Sequence, residues 1–422
     1  METSDQHLLI VGAGHAGSEL AVSARQNGWA GRITLLGDEP ALPYHRPPLS
    51  KAWLAGQVDE DGLLLRPRSA YETARVELVS GARMEAIDRA NRRIALADGT
   101  SMAYDKLALC TGGRPRPLSC AGLVPGARPR NLHYLRTMAD AEGIRAQLTP
   151  GARVLIIGGG YVGLEVAASA RGLGAEVTLL ELQDRVLARV AGPEVSAFYE
   201  RVHRAAGVDL RTGTQVASVE VDGDAIRAVV CRDGTRLPVD LVVAGLGMLV
   251  NVEAARVAGI AEEGGIPVDE LSRTRDPHIV AAGDCTLQFN SLYGRELRIE
   301  SVPNALEQAR AAGSWLGGKP KPHRAVPWFW SDQYGLKLQM AGLSQGYERC
   351  VLRGDPDTRS FSAFYVDGER LLAMDAVNRP ADFMLAKRAL AQVCTVDVER
   401  LADEAVPLKE LLHSAPVVAP AI

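Results

Sequence analysis

The stretch Val154–Glu181 reads VLIIGGGYVGLEVAASARGLGAEVTLLE. Four apolar residues, Val154 to Ile157, predict a buried strand that runs into Gly158-Gly159-Gly160-Tyr161-Val162-Gly163. A run with helical spacing follows, then a second short strand, Val177 to Leu180, ending on Glu181. Strand, glycine turn, helix, strand and terminal acid are the order of a dinucleotide-binding βαβ unit. Gly158 makes the tight turn, Gly160 lets the backbone approach a pyrophosphate, and Gly163 lets helix pack closely on strand. The unpaired N–H groups at the helix start then face the phosphates, each charge gaining roughly 0.3–1 kcal/mol from the helix dipole.

The same pattern occurs near the start of the chain. Leu8 to Val11 leads into Gly12-Ala13-Gly14-His15-Ala16-Gly17, an apolar helix runs to about Asn27, and the strand Arg32–Leu36 ends on Gly37-Asp38. Asp38 thus stands where an acid binds a ribose. Two copies predict two dinucleotides bound at once, one tightly held and one exchanging.

Composition narrows the class. A chain of 422 residues exceeds one hydrophobic core and predicts two or three domains. Hydrophobic content of 47%, 23% charged residues and 42 glycines describe an α/β protein rich in tight turns. The net charge of −4 argues against general binding of nucleic acid or a membrane surface. No apolar run approaches the roughly 20 residues of a membrane helix. Met1 to His7 is polar and does not read as an export signal, so the expected location is cytoplasmic. The six cysteines are scattered, with no Cys-x-x-Cys pair, which predicts free thiols, no redox-active dithiol and no metal site.

Between and after the two fingerprints lie further candidates. Pro43-Tyr44-His45-Arg46-Pro47-Pro48-Leu49-Ser50-Lys51 is stiffened by three prolines and presents Arg46 and Lys51; the plainer reading is a rigid loop with solvated charges. Gly81–Ile87 and Arg93–Leu96 predict a hairpin, and Tyr104–Cys110 a strand entering Thr111-Gly112. Arg136 precedes a helix from Met138 to Gln147, where an anion can be held. Leu241–Ala244 enters Gly245-Leu246-Gly247, and Ile279–Ala282 ends on Gly283-Asp284, with Asp284 either facing a ligand crevice or capping a helix. Gly317–Pro322 reads as a linker, after which alternating strands and the helix Ala381–Val393 predict a third, α+β domain. Its opening, Pro327 to Tyr334, shows little helical or strand period and reads as a core wedge or as an aromatic surface beside a cofactor.

Taken together, the two fingerprints with PYHRPPLSK, CTGGRPRP, YLRT, AAGDC, RIESVPNALEQAR and PWFWSDQY resemble the FAD-dependent ferredoxin reductases of bacterial monooxygenase systems, across nearly the whole chain. The resemblance implies a glutathione-reductase-like α/β fold: two Rossmann-like dinucleotide-binding domains plus a C-terminal α+β domain. The expected boundaries are 1–115 with 249–325 for FAD, 116–248 for NAD and 326–422 for the C-terminal domain. It further implies that Gly12, Gly14, Ala16 and Gly17 hold the FAD pyrophosphate, with Asp38 on the ribose and Met84 on the adenine. Thr111 and Gly112 close the first flavin segment, Arg46 belongs to the cofactor site, Arg136 meets the phosphates, Asp284 the ribityl chain, and Val302 the isoalloxazine ring. Gly158, Gly160, Gly163 and Gly247 would hold NADH. Lys51 would stand near flavin N5 paired with Glu165, orienting the nicotinamide and stabilising reduced flavin.

The implied partner is a [2Fe–2S] ferredoxin that supplies a haem-thiolate monooxygenase, bound transiently by a monomeric reductase. Alternatives are a Rieske dioxygenase ferredoxin, a rubredoxin, or a redox-sensing FAD-bound interaction module. Disulfide reductases of this fold carry a cysteine pair in the early segment of the first domain, and no cysteine precedes Cys110, so disulfide reduction is not expected. Arg310, Lys319, Lys321 and Arg324 are the candidate basic docking residues, with solvated linker charge the preferred reading of the two lysines. One departure from the family pattern is Val250 before Asn251, where a proline is usual, so that loop is expected to be less rigid.

Glu181 selects the nicotinamide. A 2′-phosphate about 4 Å away is opposed by about 4 kcal/mol per charge pair at an effective dielectric of 20, roughly a thousandfold at most. Arg185 is positioned in sequence to soften that penalty by pairing with a phosphate. NADH is therefore the expected donor, and equal kcat/KM for NADPH would overturn this reading of Glu181.

Overall fold

The computed structural model describes residues 5–414, so Met1–Ser4 of the polar N-terminal segment lie outside it. The chain divides into two compact units: residues 1–45, 60–114 and 249–327 form the first, and residues 46–59, 115–248 and 328–422 the second.

The first unit is built on a five-stranded parallel sheet in the order Ile279–Ala281, Lys106–Leu109, His7–Val11, Arg32–Leu36, Val76–Val79. After their first residues, the inner strands His7–Val11 and Lys106–Leu109 are apolar because both faces are covered, as parallel sheets require. One face carries the helix His15–Gln26 against the helix Val302–Leu316. Ala21, Ala24, Ala305, Ala309 and Ala312 are all buried there, and small side chains let the two axes approach closely. A Cβ on Gly313 would sit 2.6 Å from Ser23 Oγ, so this glycine is the contact itself. An antiparallel sheet, Met84–Asp88, Arg93–Leu96 and Ser101–Ala103, extends the predicted hairpin by one strand.

The second unit repeats the parallel sheet: Asp209–Arg211, Glu176–Leu180, Arg153–Ile157, Leu241–Ala244, Leu132–His133. It also contains an antiparallel sheet ordered Trp328–Gln333, Leu336–Gly342, Arg370–Val377, Ser360–Asp367, Arg349–Asp355, with the helix Pro380–Leu390 against it. Trp328–Gln333, read from sequence as lacking a period, is therefore an edge strand. The three consecutive aromatics hid the alternation: Trp328 and Trp330 face one side, while Phe329, Ser331 and Gln333 face the other. A two-residue turn, Tyr334-Gly335, closes the hairpin, with both residues at positive φ (51° and 74°), and fixes its register.

One core joins both sheets of this unit. Within it Tyr365 accepts the Gly192 N–H at 2.9 Å and donates to the buried Asp375 at 2.6 Å. Burial raises the Asp375 carboxyl from 3.8 to about 7, against the opposing pull of the Tyr365 hydrogen bond. The unfolded chain has this group ionised above pH 4, so between about pH 4 and 7 the native state holds more protons, and stability falls as pH rises. Burial of His203 works the other way, lowering its pKa to about 4. Between about pH 4 and 6.5 the native state there holds fewer protons, and stability is lost as pH falls. The two slopes oppose in the wild type. Asp375→Asn removes the first alone, so its Tm is expected to climb relative to wild type from pH 4 to pH 7.5, reaching several degrees. Parallel thermal-denaturation curves across that range would contradict the assignment.

Candidate functional site

The two glycine turns carry the geometry that a pyrophosphate needs. Gly12 and Gly158 have φ of 107° and 113°, and a Cβ on either would lie within 2.3 Å of a neighbouring carbonyl oxygen: 2.1 Å from Cys110 and 2.3 Å from Gly245 respectively. Gly17 and Gly163 are barred from a side chain by the carbonyls of Gly12 and Gly158, at 1.9 and 2.0 Å. Gly14 and Gly160 differ: each caps its helix with an ordinary extended φ, makes no side-chain cap, and has no atom within 4 Å of the place a Cβ would take. At both helix starts the cap residue thus has no side chain and the space beside it is open, which fits a bound phosphate at each.

Two other helix starts contrast with these. At Met138–Arg145 the Thr137 hydroxyl takes the Asp140 N–H, and the Asp140 carboxylate takes the N–H groups of Thr137 and Arg136 at 2.8 and 3.1 Å. This capping box fills the helix start where an anion was expected beside Arg136, because the helix brings its own acid. The Arg136 carbonyl accepts from the Arg46 guanidinium at 2.6 Å, in the second unit. At Val302–Leu316 the Ser301 hydroxyl caps, leaving Val302 on the first turn.

In the first unit the carboxyl ends of three parallel strands bring Gly12, Thr111-Gly112 and Asp284 to one edge of the sheet. Asp284 caps no helix; it lies in a turn that leads into the strand Thr286–Asn290. Gln308, buried on the Val302–Leu316 helix, holds this turn by accepting the Gly283 N–H at 2.8 Å and the Thr286 hydroxyl at 2.9 Å. Sequence reading passed over Gln308, although it stands seven residues after the helix cap on the face that meets the turn. Asp38 is exposed after its strand, and Met84 is half-buried at the start of its own.

Asn251 is tied to the Thr111-Gly112 turn rather than loosened by Val250. Its N–H donates to the Gly112 carbonyl at 3.0 Å, its amide to the Thr111 carbonyl at 3.0 Å, and its carbonyl accepts the Thr111 hydroxyl at 2.6 Å. Hydrogen bonding supplies there the stiffness that proline was expected to supply.

In the second unit Glu181 is held by two backbone donors, Gly159 N–H at 2.6 Å and Gln183 N–H at 2.8 Å. Arg185 cannot serve a phosphate as expected, because its guanidinium donates to the carbonyls of Ala188 and Ala191 and to Ser196 Oγ at 2.7–3.0 Å. Gly247 has φ 87°, where a side chain is strained. The Lys51 ammonium lies 2.8 Å from the Glu165 carboxylate, which is 4% exposed. Lys51 follows a 3₁₀ turn, Pro47–Ser50, that the prolines preset.

The basic docking set is partly neutralised. Arg310 pairs with Glu19 at 2.7 Å and Glu307 at 3.1 Å, and Arg324 with Glu270 at 2.7 Å. Lys319 and Lys321 are exposed. Cys110 and Cys285 are buried in the first unit, and burial pushes both thiols up. Among the described residues there is no cluster of metal-ligating side chains, and no helix is long and apolar enough to cross a membrane.

Residues 6–309 match the pyridine nucleotide-disulphide oxidoreductase family, and residues 328–412 match a family described as reductase C-terminal. The chain is 49% identical over 98% of its length to putidaredoxin reductase of Pseudomonas putida, of which it covers 98%. The crystal structure of the covalent putidaredoxin reductase–putidaredoxin complex superposes with a TM-score of 0.93 at 49% identity, over 96% of this chain and 98% of that one. A ferredoxin reductase for the CYP199A2 system from Rhodopseudomonas palustris superposes at 0.91 with 42% identity, over 96% and 99%.

Gly14→Val and Gly160→Val separate the two helix starts, since either side chain covers its open N-terminus without straining φ. Gly160→Val is expected to weaken NADH binding by about tenfold or more while FAD content stays at wild-type level. Gly14→Val is expected to lose FAD. Titration of NADH and flavin content of the purified proteins check both, and an unchanged NADH affinity in Gly160→Val would refute the assignment.

Proposed function

The chain belongs to the pyridine nucleotide-disulphide oxidoreductase family, and on that premise we propose that it is a ferredoxin–NAD(+) reductase, carrying electrons from NADH through bound FAD singly to a [2Fe–2S] ferredoxin. By analogy with the similar proteins, whose names pair a reductase with putidaredoxin or with a CYP199A2 system, that ferredoxin serves a cytochrome P450-type monooxygenase. The enzyme acts as a cytoplasmic monomer.

When bound, FAD supplies the conversion of a two-electron hydride into single electrons. The residues of this chain bind, orient and stabilise. Gly12, Gly14, Ala16 and Gly17 hold the FAD pyrophosphate; Asp38 takes the ribose, Met84 the adenine, and the side chains of Arg46 and Arg136 the phosphates. Thr111, Gly112, Asp284 and Val302 line the remainder of the flavin. Gly158, Gly160, Gly163 and Gly247 hold the NADH backbone, and Glu181 accepts from its adenosine ribose while opposing a 2′-phosphate. The Lys51 ammonium, steadied by Glu165, supplies a fixed positive charge beside the reacting nicotinamide.

The observation that carries the reading is the buried Lys51–Glu165 pair in a chain whose first cysteine is Cys110. A disulfide reductase needs a dithiol in this early segment. Cys110 and Cys285 do not replace it, because their burial favours the protonated thiol, which is not a nucleophile. Electrons therefore leave directly to a one-electron acceptor.

NADH-driven reduction of a panel of purified acceptors tests this: ferredoxins of P450 systems, ferredoxins of Rieske dioxygenases, and a rubredoxin. Flavin bleaching within seconds of mixing and the highest kcat/KM on a P450-type ferredoxin are expected. Preference for a Rieske ferredoxin or rubredoxin would move the chain to those systems. Bleaching slower than minutes would favour a redox-sensing module instead.

A further inference from the structure

Glu165 has more partners than Lys51. Its Oε2 accepts from the Ser50 hydroxyl at 2.5 Å, and its Oε1, already 2.8 Å from the Lys51 ammonium, accepts from the Ser331 hydroxyl at 2.6 Å. Both serines are buried, Ser331 completely. Three donors, the two hydroxyls and the Lys51 ammonium, thus converge on this one carboxylate.

The direction of the Ser331 donation is set from behind. Gln333 Nε2 donates to Ser331 Oγ at 3.0 Å, which turns the single Ser331 proton toward Glu165. Gln333 Oε1 in turn faces His203 Nε2 at 2.9 Å, and His203 Nδ1 faces the Tyr334 hydroxyl at 3.3 Å. A Gln333 whose amide nitrogen points at Ser331 presents its oxygen to His203, so Nε2 carries the imidazole proton and Nδ1 accepts from Tyr334. Burial keeps His203 neutral, the state with one donor and one acceptor. The chain therefore donates one way, from Tyr334 through His203, Gln333 and Ser331 to Glu165.

Ser50 is fixed as firmly. Its carbonyl accepts the Ser169 hydroxyl at 2.7 Å, and Ser169 stands one helical turn after Glu165 on Tyr161–Gly172. The residue beside Lys51 is thereby anchored to the helix that carries the partner of Lys51. The Ser50 hydroxyl also lies 3.3 Å from the Pro47 carbonyl, a longer contact than the one to Glu165.

We propose that Ser50 and Ser331 are positioning residues for the Lys51–Glu165 pair, and that Tyr334, His203 and Gln333 fix the direction in which Ser331 donates. This rests on the reductase reading above, in which Lys51 acts beside the reacting nicotinamide. Without the two hydroxyls the carboxylate has only Lys51 to satisfy it and draws the ammonium out of the position that serves the nicotinamide. The positive charge presented to the nicotinamide falls with it, and hydride transfer slows.

The test uses the FAD-loaded enzyme carrying Ser50→Ala, Ser331→Ala, Glu165→Gln, and each alanine combined with Glu165→Gln. Wild-type reduction by NADH, measured alone, decides the reductase reading independently of the variants. Given that reading, each alanine variant is expected to slow hydride transfer in stopped flow by about tenfold, the effect of one hydrogen bond to a charged group. NADH affinity should stay within about twofold, so that the loss falls on the rate of hydride transfer and not on binding. In the Glu165→Gln background the same alanines should have little further effect, since they act through Glu165. A structural role would instead add its loss to that of Glu165→Gln. Additive losses, or hydride transfer within twofold of wild type in flavin-retaining variants, would overturn the proposal. If Ser331→Ala does not retain flavin, Ser50→Ala carries the same cycle alone.

Discussion

The second unit depends on a match of two spacings. Residues two apart on a strand stand roughly 6.6 Å apart, and residues four apart on a helix about 6 Å apart. Three side chains on one face of the edge strand Trp328–Gln333 can therefore run alongside three on one face of the helix Tyr161–Gly172. Phe329 stacks on Tyr161 with ring centroids 4.4 Å apart, and Ser331 binds Glu165. The helix face continues to Ser169, which holds Ser50, while the strand face continues to Gln333, which holds His203. The first rung is apolar and the others are polar, so the packing that seats the C-terminal sheet on the dinucleotide fold also defines the charge pair. A one-residue slip of the edge strand would put Trp330 where Ser331 stands, and the tight Tyr334-Gly335 turn prevents it.

The first unit solves a different problem, which is to expose one helix start while fixing everything around it. Glu19, on the His15–Gln26 helix, is gripped by Arg66 and by Arg310. Its burial pushes its carboxyl up, but the two arginines outweigh this and hold it below the usual range. Gln308 secures the Asp284 turn from the neighbouring helix, and Asn251 secures Thr111-Gly112 from a loop. The side chains are spent on immobilising the backbone near Gly14, and Gly14 itself has no side chain with which to cap the start. A ligand that binds donors at a helix start stabilises the fold that presents them.

Much of this was legible in the sequence because it depends on near neighbours. Both βαβ units could be read from apolar runs and glycine spacing, since the steric need for Gly12, Gly17, Gly158 and Gly163 arises within a few residues of turn and helix. The acid Glu181 could be placed because it ends a strand. The edge strand Trp328–Gln333 could not be read, because aromatic residues on both faces mask alternation. Arg185 and the helix start beside Arg136 were misjudged for a related reason: charge is visible in sequence, whereas the carbonyls that occupy Arg185 and the bonds by which Asp140 closes the capping box form only on folding.

The sequence by itself therefore determined the fold class, the two nucleotide fingerprints and the absence of an early dithiol, all consequences of residue type and short-range spacing. Only the tertiary structure decided which groups surround Glu165. Ser50 lies 115 residues before it and Ser331 166 residues after it. A serine carries no periodicity, charge or steric demand that would mark it in sequence. Its role exists only because chain folding brings its hydroxyl to a buried carboxylate that must be satisfied.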